Sequence, residues 1–401
     1  MMLSFRSCLQ LNKWAFTFLV VALTTACGGG SSIDPPSSAL PVPAQTPPAA
    51  PVLVPIPVPI PVPIPLPVSG EPAAGNPAGS EVVPLMGRAV NTSNPARVVG
   101  TGTAASCTGA AVVSAVAQGG IIAFNCGADP VTIVLTTTAK VFNDKPDVVL
   151  DGGGKVTLSG GGTTRILYQN TCDSAQTFTT PQCQNQPSPS LTVQNITFSN
   201  GNSTGQTAEG GGGGAIFVRG GQFKIVNSRF FNNQCDVNGP DVGGGAVRVL
   251  SIYNDLPVYV VGSTFGGAAG YGNRCSNGGA LSAIGVSFSV YNSLFTHNQA
   301  IGRGANPAQA GTPGGGSGGA IYNNGNRFNL QIAGSALREN NANEGGGAVF
   351  YVSNDRSGSL GLTNSVFERN LSRGFETAGY AGFFIIAAPG QPTVSGSTLR
   401  P

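Results

Sequence analysis

Residues 290–295 read Val-Tyr-Asn-Ser-Leu-Phe, one copy of a six-residue pattern that occurs seven times. The copies are residues 193–198, 225–230, 260–265, 290–295, 332–337, 362–367 and 394–399. Their third residues are Asn195, Asn227, Gly262, Asn292, Gly334, Asn364 and Gly396. Asn and Gly share a tolerance of left-handed backbone, so the pattern predicts two short strands joined at a bend with positive φ. Recurrence every 30 to 42 residues indicates a solenoid.

A second motif lies between these copies. Gly-Gly-Ala followed by an aliphatic residue occurs at 213–216, 244–247, 278–281, 318–321 and 346–349. Phe-x-x-Asn follows several bends, pairing Phe230 with Asn233, Phe295 with Asn298 and Phe367 with Asn370, with Leu337 and Asn340 as a variant. We expect these asparagines to form internal hydrogen-bonded ladders, because buried amides need partners.

Together the two motifs resemble the repeats of the polymorphic outer-membrane protein family, over roughly residues 190 to 400. The resemblance implies an all-β fold, a right-handed parallel β-helix of the pectate-lyase-like type, which we assign to residues 95–401. Residues 107–118 are predicted to form a short capping helix, with Ser106 as N-cap and Gly119 beyond its end. Strands are predicted at residues 121–124, 131–135, 148–150, 156–158 and 166–168.

The N-terminus resembles a bacterial lipoprotein signal. Arg6 and Lys13 precede a short apolar run, which ends Leu-Thr-Thr-Ala before Cys27. Residues 1–26 are therefore predicted to be a signal peptide and Cys27 the lipidated residue, placing the protein on the outer membrane or cell surface. The alternatives are an ordinary cleaved signal and a secreted or periplasmic protein. The predicted partner of the N-terminus is the membrane, which it would contact through the lipid anchor.

Residues 27–94 are predicted to form a flexible, proline-rich stalk. Proline occupies every second position from Pro55 to Pro67, which removes the N–H donors that a helix or a sheet ladder needs. Polyproline II is the remaining regular conformation, and a disordered linker is the alternative.

Six cysteines remain after Cys8 and Cys27 are set aside. An even number in an exported chain indicates disulfides, and six cysteines allow fifteen pairings. We expect the sequential set, Cys107–Cys126, Cys172–Cys183 and Cys235–Cys275, because each pair closes a local loop. A metal site is not expected, since no Cys-x-x-Cys or His cluster is present.

A candidate glycan-binding strip consists of the outward residues after the Gly-Gly-Ala motifs: Phe217, Arg248, Tyr322 and Phe350, with Ser282 between them. In a parallel stack these positions align, and rings and guanidinium groups suit sugars. The alternative is that the inserted loops, predicted at residues 170–189, 234–243, 266–277, 300–317 and 372–380, cover these side chains. No acid occurs in this column. Glu339, Glu368 and the single histidine, His297, are expected to be surface turn residues rather than catalytic groups.

Composition narrows the function further. The chain has 60 glycines, 9% charged residues and a net charge of +3, without a basic stripe, so nucleic acid is not an expected partner. The Gly-Gly-Ala motifs lack the Lys-Ser or Lys-Thr ending of a phosphate loop, and no cofactor is expected. We therefore expect a non-enzymatic surface protein: an adhesin, a glycan-binding or a structural protein, with a polysaccharide or host-surface ligand. The alternatives are a pectate-lyase-like polysaccharide lyase or glycosidase, and an autotransporter passenger.

Overall fold

The computed structural model describes residues 70–207 and 211–401. The predicted signal peptide, Cys27 and the stalk up to residue 69 lie outside this part of the chain and stay predictions.

The described chain is a parallel β-helix, as the repeats predicted. From the second strand onward, each coil visits sheets A, B and C in turn, with a short strand of a fourth sheet between B and C in the later coils. All pairings between the strands named below are parallel. Sheet A contains β1 (Arg97–Val99), β2 (Gly120–Phe124), β5 (Asp147–Asp151), β8 (Ser190–Gln194), β11 (Gln222–Val226), β14 (Val258–Val261), β18 (Phe288–Tyr291), β22 (Asn329–Ala333), β26 (Ser359–Thr363) and β30 (Thr393–Ser395). Sheet B contains β3 (Val131–Val134), β6 (Val156–Ser159), β9 (Thr197–Ser199), β12 (Arg229–Phe231), β15 (Thr264–Phe265), β19 (Leu294–Thr296), β23 (Ala336–Arg338), β27 (Val366–Glu368) and β31 (Thr398–Arg400).

Two further sheets complete the column. Sheet C contains β4 (Ala139–Val141), β7 (Leu167–Asn170), β10 (Ile216–Arg219), β13 (Val247–Val249), β17 (Leu281–Ile284), β21 (Ile321–Gly325), β25 (Val349–Ser353) and β29 (Phe383–Ile386). A short sheet D contains β16 (Arg274–Cys275), β20 (Gln299–Ala300), β24 (Asn341–Ala342) and β28 (Leu371–Ser372). The strands predicted before residue 170 all occur, with ends shifted by one or two residues.

The bends between sheets A and B have the predicted left-handed backbone in all seven copies. Their φ values are 51° at Asn195, 47° at Asn227, 54° at Gly262, 50° at Asn292, 59° at Gly334, 46° at Asn364 and 61° at Gly396. Only Gly and, at modest cost, Asn hold this conformation routinely, which explains why the sequence alternates between these two residue types.

The capping helix is also present, as α1 (Gly109–Gln118). Its N-cap is Thr108, whose hydroxyl accepts a hydrogen bond from the Ala111 N–H at 3.2 Å. The prediction of Ser106 was wrong, because Ser106 belongs to a preceding 3₁₀ turn, Ala104–Ser106. Gly119 ends the helix with φ 70°. The helix buries Val112 and Val116, so that its apolar face covers the first coils.

Aromatic rings stack inside the column below sheet B. The ring centroids of Phe198 and Phe230 are 5.1 Å apart, those of Phe230 and Phe265 are 4.5 Å apart, and those of Phe265 and Phe295 are 4.6 Å apart. All four side chains are fully buried. Successive coils therefore place the sixth residue of the repeat directly above its equivalent, so that one apolar core runs through the column.

An asparagine ladder lies next to the phenylalanine stack, as predicted. The ladder has five rungs: Asn233, Asn273, Asn298, Asn340 and Asn370. The Nδ2 of each of the first four donates to the Oδ1 of the following rung at 2.9 Å. Every Nδ2 also donates to a main-chain carbonyl, as Asn298 does to Phe265 at 2.9 Å. Asn273 was missed because an insertion separates it from Phe265.

Residues 71–92 form a strap on the outside of the bends. The N–H and C=O of Glu81 bond to Oδ1 and Nδ2 of Asn292, both at 2.9 Å. Asn76 donates to the carbonyl of Gly334 at 2.9 Å. The left-handed bends thus provide the amides and carbonyls that hold the strap.

The second half of the strap returns toward the first coils. Its contacts include Val90 N–H to Gln194 Oε1 at 2.8 Å and Thr92 Oγ1 to Asp151 Oδ2 at 2.6 Å. The sequence assigned these residues to the stalk, whereas the structure packs residues 71–92 against the column.

Three disulfides occur in the described residues, and they are the sequential pairs. The Cα atoms are 5.7 Å apart in Cys107–Cys126, 4.9 Å in Cys172–Cys183 and 4.8 Å in Cys235–Cys275. The last pair joins two successive coils, because Cys275 lies in β16 and Cys235 follows the preceding ladder residue, Asn233.

Candidate functional site

The four residues of the predicted strip do align on the outer face of sheet C. The strand register gives the column Lys140, Tyr168, Phe217, Arg248, Ser282, Tyr322, Phe350 and Phe384. Neighbouring rings stack, with centroids 5.4 Å apart for Tyr168 and Phe217 and 4.9 Å apart for Tyr322 and Phe350.

Inserted loops cover the middle of this column. Phe217 is 0% exposed, Tyr322 is 1% exposed, and Arg248 and Phe350 are each 2% exposed. Arg248 Nη2 donates to the carbonyl of Asp241, and Asn306 donates to the Tyr322 hydroxyl. Two of the predicted loops, residues 234–243 and 300–317, therefore supply contacts to the strip. Glycan binding by these four residues stays a prediction, and it requires the loops to move away.

Burial shifts the pKa values of the covered polar groups. Desolvation lowers the pKa of Arg248 to about 10 and raises the pKa of Tyr322 to about 12. Both groups therefore keep their ordinary protonation state at neutral pH, with Arg248 a buried cation and Tyr322 a neutral hydroxyl.

The column is open to solvent at its first two residues. A cavity of about 420 Å³ lies there, lined by Thr138, Lys140, Arg165, Tyr168, Asp173, Gly205, Gln206 and Thr207. We call it the Tyr168 pocket. Lys140 is exposed and Tyr168 half-buried. Tyr168 donates from its hydroxyl to Asp173 at 3.3 Å, and desolvation is the main cause that raises the pKa of this phenol.

Two cations face this pocket. The Lys140 Nζ lies 5.9 Å from the Tyr168 ring centroid, and the Arg165 guanidinium lies 5.8 Å from it and 5.1 Å from the Phe217 centroid. Arg165 is 5% exposed, and its Nε and Nη2 donate to the carbonyls of Gly213 at 3.1 Å and Gly212 at 2.8 Å. Desolvation lowers the pKa of Arg165 to about 10, which leaves it charged at neutral pH.

The sequence did not single out Lys140, Arg165 and Tyr168. The strip was located through the Gly-Gly-Ala motif, which begins only at residue 213. The earlier strands β4 and β7 lack it, although they belong to the same sheet. The predicted strand at 166–168 was the only available signal.

A second cavity, of about 380 Å³, lies on sheet A. Its floor includes Thr192, Lys224 and Tyr259, and the strap forms one wall through Met86 and Val90. Lys224 Nζ donates to the Met86 and Arg88 carbonyls at 3.2 Å and 2.8 Å. This cavity is lined mainly by aliphatic side chains, with one carboxylate, that of Asp147.

The acids that the sequence placed in turns form surface ion pairs. Arg338 pairs with Glu368 at 2.7 Å, Arg369 with Glu339 at 2.9 Å, and His297 Nε2 lies 2.7 Å from Glu339. The Arg369 hydrogen bond is the main cause that lowers the pKa of Glu339. Within residues 70–207 and 211–401, no three His, Cys, Asp or Glu side chains group together as metal ligands do.

Among the described residues, no helix has the length and apolar character needed to cross a membrane. No family model, curated protein or solved structure matches the chain. Conclusions about its role therefore depend on the residues themselves.

Proposed function

We propose that this protein is a lipid-anchored, surface-exposed β-helix that binds a glycan. The single observation that carries the glycan proposal is the Tyr168 pocket, the solvent-open end of the aligned column on sheet C. Thr138, Gln206 and Thr207 line it with hydroxyl and amide groups, which suit sugar hydroxyls, beside the two cations. A concave site of this size with a few convergent polar groups is typical of small-ligand binding.

The surface location is supported by the sequence and by the disulfides. Three disulfides are typical of an oxidising, extracytoplasmic compartment. The lipoprotein-type signal ending at Cys27 and the resemblance to polymorphic outer-membrane proteins favour attachment to the outer membrane over secretion. Mass spectrometry of the mature N-terminus tests this part, because an acylated Cys27 supports the anchor and an unmodified N-terminus at another residue contradicts it.

A glycan array probed with the disulfide-bonded protein tests the binding. We expect binding to at least one glycan class, weakened by Thr138→Val and by Gln206→Ala. The matched control is Thr132→Val, an exposed threonine of β3 on sheet B. Binding that neither pocket variant changes would contradict the assignment of this site, and no binding to any glycan would contradict the proposed function.

The same glycans should be assayed for release of shorter products. Glycoside hydrolysis uses a pair of carboxyl groups at fixed separation, and the Tyr168 pocket contains one, Asp173. Depolymerisation that disappears with Asp173→Asn would replace the binding role by the polysaccharide lyase or glycosidase alternative.

A further inference from the structure

Among the described residues, neither cation of the Tyr168 pocket has a carboxylate partner. Within the described residues, no carboxylate lies within ion-pair distance of Lys140 or Arg165. Transferring a charged group out of water is costly unless it is paired. Arg165 is only 5% exposed, so its charge is largely removed from water. An anion in the pocket would pair with both groups.

Arg165 is held so that one part of it remains available. Two of its nitrogens bond to the Gly212 and Gly213 carbonyls, and Nη1 has no hydrogen-bond partner in the described residues. The rings of Tyr168 and Phe217 fix the plane of the guanidinium. A side chain that is already ordered loses little further conformational freedom when it binds, so the free Nη1 is a prepared donor.

The one acid in the pocket does not neutralise this pair. The Asp173 carboxylate accepts hydrogen bonds from the Ala175 N–H at 3.0 Å, from Gln176 Nε2 at 3.0 Å and from the Tyr168 hydroxyl at 3.3 Å. These bonds turn the carboxylate toward its own loop. Counted over the described residues, the pocket therefore carries two cations and one anion that already has three donors.

We infer that the Tyr168 pocket binds the anionic group of an acidic saccharide between Lys140 and Arg165. The inference rests on the proposed glycan-binding function and adds the ligand class. The saccharide carries a carboxylate or a sulfate, which accepts from Lys140 Nζ and Arg165 Nη1. Its hydroxyls face Thr138, Gln206 and Thr207. The lysine is the exposed member of the pair and the arginine the ordered one.

The test compares matched ligands by isothermal titration calorimetry with the disulfide-bonded protein. Oligogalacturonate is compared with its methyl ester, and dextran sulfate with dextran, so that the neutral member of each pair has the same sugar backbone without the anionic charge. We expect the acidic member of at least one pair to bind about tenfold more tightly, because each charge-assisted hydrogen bond contributes at this scale. The preference should decrease as salt increases. The pair that shows the preference identifies carboxylate or sulfate.

Lys140→Met is the decisive variant, because the side chain is exposed and surface substitutions usually change stability little. We expect it to lose about tenfold in affinity for the acidic ligand. The control is Lys155→Met, the same change at an exposed lysine below sheet B that donates to the Ala128 carbonyl. Arg165→Lys keeps the positive charge and loses the planar guanidinium with its paired donors. Its affinity is interpreted only if its thermal unfolding transition matches that of the wild type.

Three outcomes overturn the inference. Equal affinity for the acidic and neutral members of both pairs would remove the ligand class while leaving glycan binding intact. An acidic preference that Lys140→Met leaves unchanged would place the anion elsewhere. Binding of inorganic phosphate in the pocket as tightly as the acidic oligosaccharide would assign the site to a simple anion. A protein that binds none of these saccharides, or any on the array, contradicts the proposed function itself.

Discussion

Asn298 Nδ2 donates a hydrogen bond to Asn340 Oδ1 at 2.9 Å, although the two residues are 42 positions apart in the sequence. The same Asn298 carboxamide accepts from the Asn273 N–H and Nδ2 at 3.1 Å and 2.9 Å. The Asn298 side chain therefore links its own coil to the coil before it and to the coil after it. Such a connection between coils is what a solenoid requires, since each coil contacts only its neighbours.

Removing this rung should destabilise the column strongly. Asn298→Ala leaves the N–H and one Nδ2 hydrogen of Asn273 without their acceptor. It also removes one donor each from the Phe265 carbonyl and from Asn340 Oδ1, which keeps only the main-chain N–H of residue 298. We expect a loss of about 3 kcal/mol or more in the free energy of unfolding, measured by urea denaturation. The control is Gln299→Ala, an exposed neighbour that should change stability by less than about 0.5 kcal/mol. Equal effects of the two changes would contradict a structural role for the ladder.

The strap should respond to a bend substitution that leaves the column intact. Asn292→Gly keeps a residue that tolerates φ 50° but removes the two bonds to Glu81. We expect faster amide hydrogen exchange in residues 76–84, with the exchange of sheet A unchanged. Asn227→Gly is the matched control, because Asn227 occupies the equivalent bend and its side chain bonds, among the described residues, to Asn195 at 3.5 Å rather than to the strap. Loosening of the strap by both variants alike would refute this attachment.

The disulfides should differ in their contributions. Cys235–Cys275 closes a separation of 40 residues and Cys172–Cys183 one of 11. A longer loop restricts the unfolded chain more, so Cys235→Ala with Cys275→Ala should cost about 1 kcal/mol more than the equivalent double change at Cys172 and Cys183. Urea denaturation of the two double variants measures the difference. A larger loss from the shorter loop would show that native contacts, rather than chain entropy, set the order.

Glu339 should contribute to stability only above its own titration range. Its pKa is lowered from the ordinary value of 4.5, chiefly by the Arg369 hydrogen bond. A lowered folded pKa means that the stabilisation is fully present above about 4.5 and is lost as the pH falls through the folded value. Because Glu339 is 41% exposed, Glu339→Gln should cost less than about 1 kcal/mol at pH 7.

Urea denaturation of the wild type and of Glu339→Gln between pH 7 and about pH 2.5 checks this direction of the pH dependence. The two curves should converge at the acid end. Asp129→Asn, an exposed acid without an ion pair among the described residues, serves as control and should stay close to wild type throughout. A difference that grows on acidification would contradict the prediction.

The sequence predicted the features that depend on local chemistry repeated in every coil. Left-handed bends at Asn292 and Gly334, the Asn298 rung and the outward position of Arg248 all follow from residue type and spacing. What it did not predict depends on contacts between distant segments. The burial of Arg248 requires loops from other coils, and residues 71–92 carry no periodic pattern that would reveal their docking.

The Tyr168 pocket was missed for a related reason. Lys140 and Tyr168 precede the first Gly-Gly-Ala motif, so no sequence landmark fixed their register with Phe217. Arg165 lies outside the column and reaches it from a turn, stacking over Phe217 at 5.1 Å. These three residues come together only in the folded structure.

The position of Gly70 has a mechanical consequence. The Tyr271 hydroxyl donates to the Gly70 carbonyl at 3.2 Å, so the described chain begins on the flank of the column, midway along the stack of coils. Tension applied through the preceding residues would first peel residues 71–92 away, breaking one bond at a time, before it reached any coil. The strap would then act as a reserve of length that absorbs a pull, and a force–extension curve would record its release ahead of the unwinding of the coils.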